Sequence, residues 1–264
     1  MEAETTMNEK LKKDFVDKWK KYFKGAELPF VFFYSDDKRY ESILMPLKPE
    51  TERMCMISQL NIVRRGKNLA FTKDTVICQG GLRYSGFRMA MRPNFRYFLS
   101  CGIPGKLEGE RYKKTPEIVD EAMKEQSDIP SPGNYLVFKR LDKVEIDEVP
   151  EAVIFYATPD ILAGLFALAN FRLAQPLGVI APFSAGCGSI IGYPLRENRN
   201  EQPRAVLGMF DVSARPHVEE GILSFTMPKK KFHEMVEDMD ESFLITKSWA
   251  QVAKRIAKAA KGRP

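Results

Sequence analysis

Ala152-Val153-Ile154-Phe155-Tyr156-Ala157-Thr158-Pro159-Asp160 is the stretch whose reading decides the fold. Its first six residues are apolar and rich in β-branched and aromatic side chains, which suits a strand. Thr158 then stands where a helix N-cap belongs, with Pro159 at the first helical position. The apolar run 161–174, broken only by Asn170 and Arg172, reads as a buried helix. A strand that feeds directly into a helix makes this an α-and-β chain.

Working outward, Pro29-Phe30-Val31-Phe32-Phe33-Tyr34 is a second buried strand, ended by Ser35-Asp36-Asp37. Residues 54–65 have helical period and Gly66 closes them. Asn68-Leu69-Ala70-Phe71 and Thr75-Val76-Ile77 read as short strands, and 115–126 as a helix with Pro116 in its first turn. Residues 128–134, with two prolines and a glycine, form a connection. Beyond it, strands are expected at 135–138, 178–180, 205–210 and 222–226, and a helix over 229–239.

The expected architecture is α+β: two weakly similar α/β halves, 1–127 and 128–264, sharing a mixed sheet in one compact unit. Each half runs strand, helix, strand and then a cysteine beside glycines, which suggests a faint duplication; chance recurrence of the same element order is the competing reading. Amphipathic helices flank the whole. One covers 8–24, with Leu11, Phe15, Trp19, Tyr22 and Phe23 on a stripe. The other covers 247–263, with Trp249, Val252, Ile256 and Ala259. Much of the net charge of +6 lies in these two segments. A basic amphipathic helix can bind nucleic acid or an anionic membrane. The simpler reading is a helix packed by its stripe with a solvated basic face, so nucleic acid is not the expected partner.

With 44% hydrophobic and 29% charged residues, the 264-residue chain is excluded from the disordered, collagen-like and disulfide-scaffold classes. No apolar run reaches the roughly 18–20 residues that span a bilayer. The acidic start, Met1-Glu2-Ala3-Glu4, is followed by no apolar signal core, so a cytoplasmic location is expected. In that setting the four cysteines are expected as free thiols or metal ligands.

Two cysteine-bearing loops carry the chemistry: Cys78-Gln79-Gly80-Gly81 and Ser184-Ala185-Gly186-Cys187-Gly188-Ser189. Glycine permits positive φ and close approach of a ligand. Thiolates suit iron–sulfur clusters and other soft metals. The leading expectation is that Cys55, Cys78 and Cys187 hold such a centre, with one iron left open to substrate. No Cys-x-x-Cys pair supports it, and buried cysteines also serve as small hydrophobes. The alternative is a metal-free module that binds a small anionic ligand on the backbone of Gly80, Gly81, Gly186, Gly188 and Ser189, assisted by Arg83 and Arg215. Neither loop matches a nucleotide-binding fingerprint. Arg83, Arg88, Arg92 and Arg96 interleave with Tyr84, Phe87, Phe95, Tyr97 and Phe98. That composition suits a solvated basic face, a wall for an anionic ligand, or a nucleic-acid surface. Asp211 and Arg215 invite an ion pair that fixes a loop. His217 has no placed partner and His233 is expected to be exposed, so no catalytic assembly and no enzyme class emerges.

Met54-Cys55-Met56-Ile57 through Arg65-Gly66, followed by Cys78-x-Gly80-Gly81, resembles the uncharacterised prokaryotic family called domain of unknown function 169. So do Ala185-Gly186-Cys187-Gly188-Ser189 and the Gly208, Asp211, Ser213, Arg215 stretch ahead of 222–228. The likeness spans roughly 28–239. The family pattern has a proline after its second cysteine and a glycine–aspartate pair before the arginine. Here Gln79 follows Cys78, and Met209-Phe210 separates Gly208 from Asp211. The resemblance implies a single cytoplasmic α+β unit whose recurring cysteines match Cys55, Cys78 and Cys187, with Cys101 outside the pattern and no activity assigned.

Overall fold

The computed structural model describes residues 9–45, 55–76, 78–125 and 129–261. Among them the chain runs α1 (Glu9–Tyr22), β1 (Phe30–Ser35), α2 (Met56–Gln59), α3 (Asn61–Arg64), β2 (Leu69–Phe71), α4 (Gln79–Tyr84), α5 (Phe95–Phe98) and α6 (Pro116–Glu125). It continues through β3 (Tyr135–Arg140), β4 (Ala152–Ala157), α7 (Pro159–Asn170), β5 (Val179–Ile180), a π-turn at Gly188–Gly192, α8 (Tyr193–Glu197) and β6 (Ala205–Gly208). It ends with β7 (Leu223–Pro228), α9 (Lys229–Asp238) and α10 (Lys247–Lys261). The α+β expectation holds.

The strands form one sheet in the order β2-β3-β1-β4-β7-β6-β5. Among the described strands β5 and β6 pair in parallel and the other neighbours are antiparallel. β3, which follows the 128–134 connection, inserts between β2 and β1. The central pair β1 and β4 sets Phe30 opposite Ile154 and Val31 opposite Val153.

Strand side chains alternate faces, and here both faces are covered. Val31, Phe33, Val137, Val153 and Phe155 meet α1, α7, α9 and α10 in one core. Phe30, Phe32, Leu136, Phe138, Ile154 and Tyr156 meet α2, α3, α4 and the helix that carries Cys187 in the other. The result is three layers, helix–sheet–helix. It explains why the strands read as continuous apolar runs rather than alternating ones. The terminal helices do pack by their stripes. Phe15, Trp19 and Phe23 recur every fourth residue, and the Trp19 and Phe23 rings stack at 4.1 Å. Gly25, with φ +88°, then turns the chain. On α10, Trp249 and Ile256 are buried while Ala259 faces solvent.

Several local expectations are corrected. Residues 56–64 are two single-turn helices joined at Leu60 rather than one helix. Thr75 lies in a turn and Val76 outside any strand, the Thr75 hydroxyl accepting the Thr72 N–H; Ile77 lies outside the described residues. β6 stops at Gly208 because Met209 adopts φ +72°. Thr158 has extended backbone but makes no side-chain cap, so Pro159 alone marks that helix start. His233 is half-buried, not exposed.

Candidate functional site

Both cysteine segments are helix starts, not loops. Cys78 is the N-cap of α4, and its Sγ accepts the Gly81 N–H at 3.2 Å. Gly186 and Cys187 open a helix that passes through the π-turn into α8. Single π-turns of this kind widen a helix and recur at functional sites. Cys55 is the N-cap of α2, its carbonyl accepting from the Ser58 N–H and hydroxyl. None of Gly80, Gly81, Gly186 or Gly188 has positive φ. They serve close approach instead. A Cβ on Gly81 would stand 2.8 Å from Cys78 Sγ, and one on Gly80 would stand 3.4 Å from Cys187 Sγ. Gly188 and Gly192 admit the ring of Tyr84, at 2.9 and 2.5 Å from their added Cβ positions.

The three sulfurs, distant in sequence, line one cavity of about 500 Å³. Its floor is Cys55, Cys78 and Cys187, with Gly80, Gly186 and Asp211. Its walls are mostly apolar: Phe95 and Phe98 of α5, Val119 and Met123 of α6, and Phe183. The volume suits a small organic molecule. One wall comes entirely from the excursion 88–125, and no described residue of that excursion belongs to either core cluster. The excursion is held by its own contacts. Arg96 bridges Glu117 and Asp120, both at 2.8 Å. Tyr112 latches it to the far wall: its ring meets Phe183 edge-on at 5.5 Å, and its hydroxyl donates to Asp211 Oδ1 at 3.3 Å while accepting the Ser213 N–H at 3.1 Å. Arg111 (φ 56°) and Met209 (φ 72°), non-glycine residues in left-handed backbone, flank the two sides of this latch, and such strain gathers at functional sites.

The floor is electrostatically divided. The Cys55 thiol donates to Cys78, and that bond, with the N–H groups of Met56 and Gly81, draws the Cys78 thiol down to about 6 in spite of its burial. The same bond, together with desolvation, holds Cys55 well above the ordinary thiol range. Burial pushes Cys187 well up. Cys78 is therefore the sulfur the site favours as thiolate, flanked by two thiols that it holds neutral. Asp211 is buried and accepts from the Gly186 N–H at 3.2 Å and from the Ser213 hydroxyl at 2.8 Å.

Of the residues expected from sequence, Cys55, Cys78, Cys187, Gly80, Arg83 and Gly186 line the cavity. Gly81, Gly188, Ser189 and Arg215 do not. Gly81 and Gly188 spend their N–H groups on Cys78 Sγ and the Ala185 carbonyl. Ser189 is buried, its hydroxyl bonded to the Gly186 carbonyl at 2.8 Å. Arg215 donates to the Ile222 carbonyl at 2.6 Å and forms no ion pair with Asp211. Arg83 donates to the Met89 carbonyl at 3.1 Å. Cys101 is exposed and apart from the cavity. Among the described residues no three His, Cys, Asp or Glu side chains form a group that could hold a metal ion. Sequence reasoning missed Tyr112, Phe183, Val119 and Met123. No local signal marks them, although Phe95 and Phe98 belong to the arginine–aromatic segment it had singled out.

Fold and site together define a three-layer α+β protein with an apolar cavity floored by cysteine sulfurs. The chain belongs to the DUF169 family, described as uncharacterised ArCR, whose family model matches residues 20–238 and so includes all three cavity cysteines. No curated protein and no solved structure matches it. No helix among the described residues is long and apolar enough to cross a membrane.

Proposed function

We propose that this protein acts on a small molecule through the Cys78 thiolate, the molecule's apolar body resting between Phe95, Phe98 and Phe183. What supports this is the gathering of three sulfurs on one cavity floor, with the Cys78 thiol drawn down by the Cys55 thiol and by the N–H groups of Met56 and Gly81. The thiolate is the nucleophilic and soft-ligand form of cysteine. An apolar enclosure strengthens its electrostatic interactions by excluding water. Anion binding on the glycine backbone has less support, because the Gly81 and Gly186 N–H groups already serve Cys78 and Asp211.

Alkylation by iodoacetamide tests the reading. The rate at Cys78, followed by peptide mass, is expected to rise with a midpoint near 6 and to vanish in Cys78→Ser. A midpoint at the ordinary thiol value of 9.0 would sink it.

A second reading keeps the metal. Cys187 Sγ lies against Gly80, so a third sulfur joins the Cys55–Cys78 pair on the same floor. The metal this reading keeps is a polynuclear iron–sulfur cluster, which spreads its thiolates over several irons. Cys55, Cys78 and Cys187 would hold it, and it would offer an open iron to the cavity. Protein purified without oxygen would then be brown and contain iron; a colourless, iron-free and zinc-free preparation removes this reading and leaves the first.

A further inference from the structure

We propose that the cavity takes an organic acid, with its carboxylate on Lys113 and its apolar, ring-bearing body between Phe95, Phe98 and Phe183. The inference rests on the reading above that the cavity binds a small molecule, and it names the class of that molecule. Lys113 is half-buried and lines the cavity in the wall that the excursion 88–125 supplies. Among the described residues its ammonium has no hydrogen-bond or ion-pair partner. A cation partly withdrawn from water beside apolar walls carries a desolvation cost that a bound anion offsets. The other charged groups lining the cavity are committed or hydrated. Arg83 donates to the Met89 carbonyl. Asp211 accepts from the Gly186 N–H and from the Ser213 and Tyr112 hydroxyls. Glu110 is exposed to solvent.

The main chain holds Lys113 in place. The N–H groups of Glu110, Arg111 and Lys113 donate to the carbonyls of Phe98, Ser100 and Leu99 at 2.7, 3.1 and 3.0 Å. Between them Arg111, exposed and at φ 56°, turns the chain, and Tyr112 and Lys113 after it both line the cavity. A single cation balances a single negative charge, which fits a carboxylate better than a phosphate carrying nearly two. The body is set by the rings: Phe98 and Phe183 line the cavity with 38% and 48% of their surface uncovered, apolar area that a flat aromatic group can bury.

Calorimetric titration of the full chain tests this with 4-phenylbutyrate, 4-phenylbutan-1-ol and 4-phenylbutylamine, which share a body and differ in the head. The acid is expected to bind about tenfold tighter than the alcohol, the scale of a hydrogen bond to a charged group, and the amine weakest. Lys113→Met should bring acid and alcohol to equal affinity, and Lys113→Arg should keep the preference. Phe183→Ala, at a partly exposed position, should weaken acid and alcohol alike. Absence of acid binding, an acid preference that survives in Lys113→Met, or an amine that binds best overturns the inference. So does acid binding unmoved in Phe183→Ala, which places the acid elsewhere. Cys78 alkylation is read separately. A midpoint near 6 with no acid preference leaves the thiolate reading standing, and a midpoint at 9.0 with the preference intact removes the thiolate reading alone.

Discussion

Gly81 shows how closely the backbone is fitted to the thiolate. A methyl group there would meet Cys78 Sγ at 2.8 Å, Val76 Cγ1 at 2.9 Å and Met56 Cε at 3.3 Å. Gly81→Ala should displace the sulfur and break its bond from the Gly81 N–H, one of the groups that acidify Cys78. The alkylation midpoint of Cys78 is therefore expected to move up toward the free-thiol value; an unmoved midpoint would show that the glycine is a packing residue only. Of the two reasons the sequence offers for these glycines, positive φ and close approach, the structure keeps only close approach, and to a sulfur rather than a ligand. Positive φ leaves a trace in composition, because few residue types tolerate it. Close approach of a side chain from elsewhere leaves none, and Cys78 and Cys187, 23 and 132 positions after Cys55, join it only once the sheet has formed.

At the scale of elements, strands and terminal helices were legible because each is decided locally, by apolar runs and by four-residue spacing. The start of α4 was not, since its cap is a sulfur rather than the usual oxygen. Of the cavity wall, α6 was legible as a helix opened by Pro116, whereas α5 was legible only as a composition of arginine and aromatics. Where elements press together the tolerance is small. On α7, a Cβ at Gly164 would stand 2.5 Å from Trp249 of α10 and 2.9 Å from the Phe23 ring that follows α1. Alanine gains about 1 kcal/mol of helix propensity over glycine, but overpacking against two rigid rings costs about 1–3 kcal/mol. Gly164→Ala is expected to lower the melting temperature; a rise would mean that the three helices slide apart freely.

For the whole molecule, the cysteine floor ties stability to pH. Cys78 is depressed from the ordinary 9.0 to about 6. Between those values the unfolded chain holds a proton that the native one has lost, so stability should climb with pH across this window; below it both states hold the proton and the contribution is gone. Cys55 and Cys187 are shifted the other way. Above 9.0 the unfolded chain sheds protons that the native state keeps, and stability should decline. Urea titrations at several pH values should trace a maximum at the alkaline end of the window, and Cys78→Ser should flatten the rising limb. A rise that survives in Cys78→Ser would place its origin in another group.

The position of β1 also governs how the chain comes into being. Phe30-Val31-Phe32-Phe33 is flanked in the sheet by β3 and β4, whose residues follow it by roughly a hundred positions or more. During synthesis at about 5–20 residues per second, this sticky segment has neither neighbour for several seconds after it leaves the ribosome. A nascent chain built in this order keeps an apolar strand without its sheet neighbours until residue 157 has emerged.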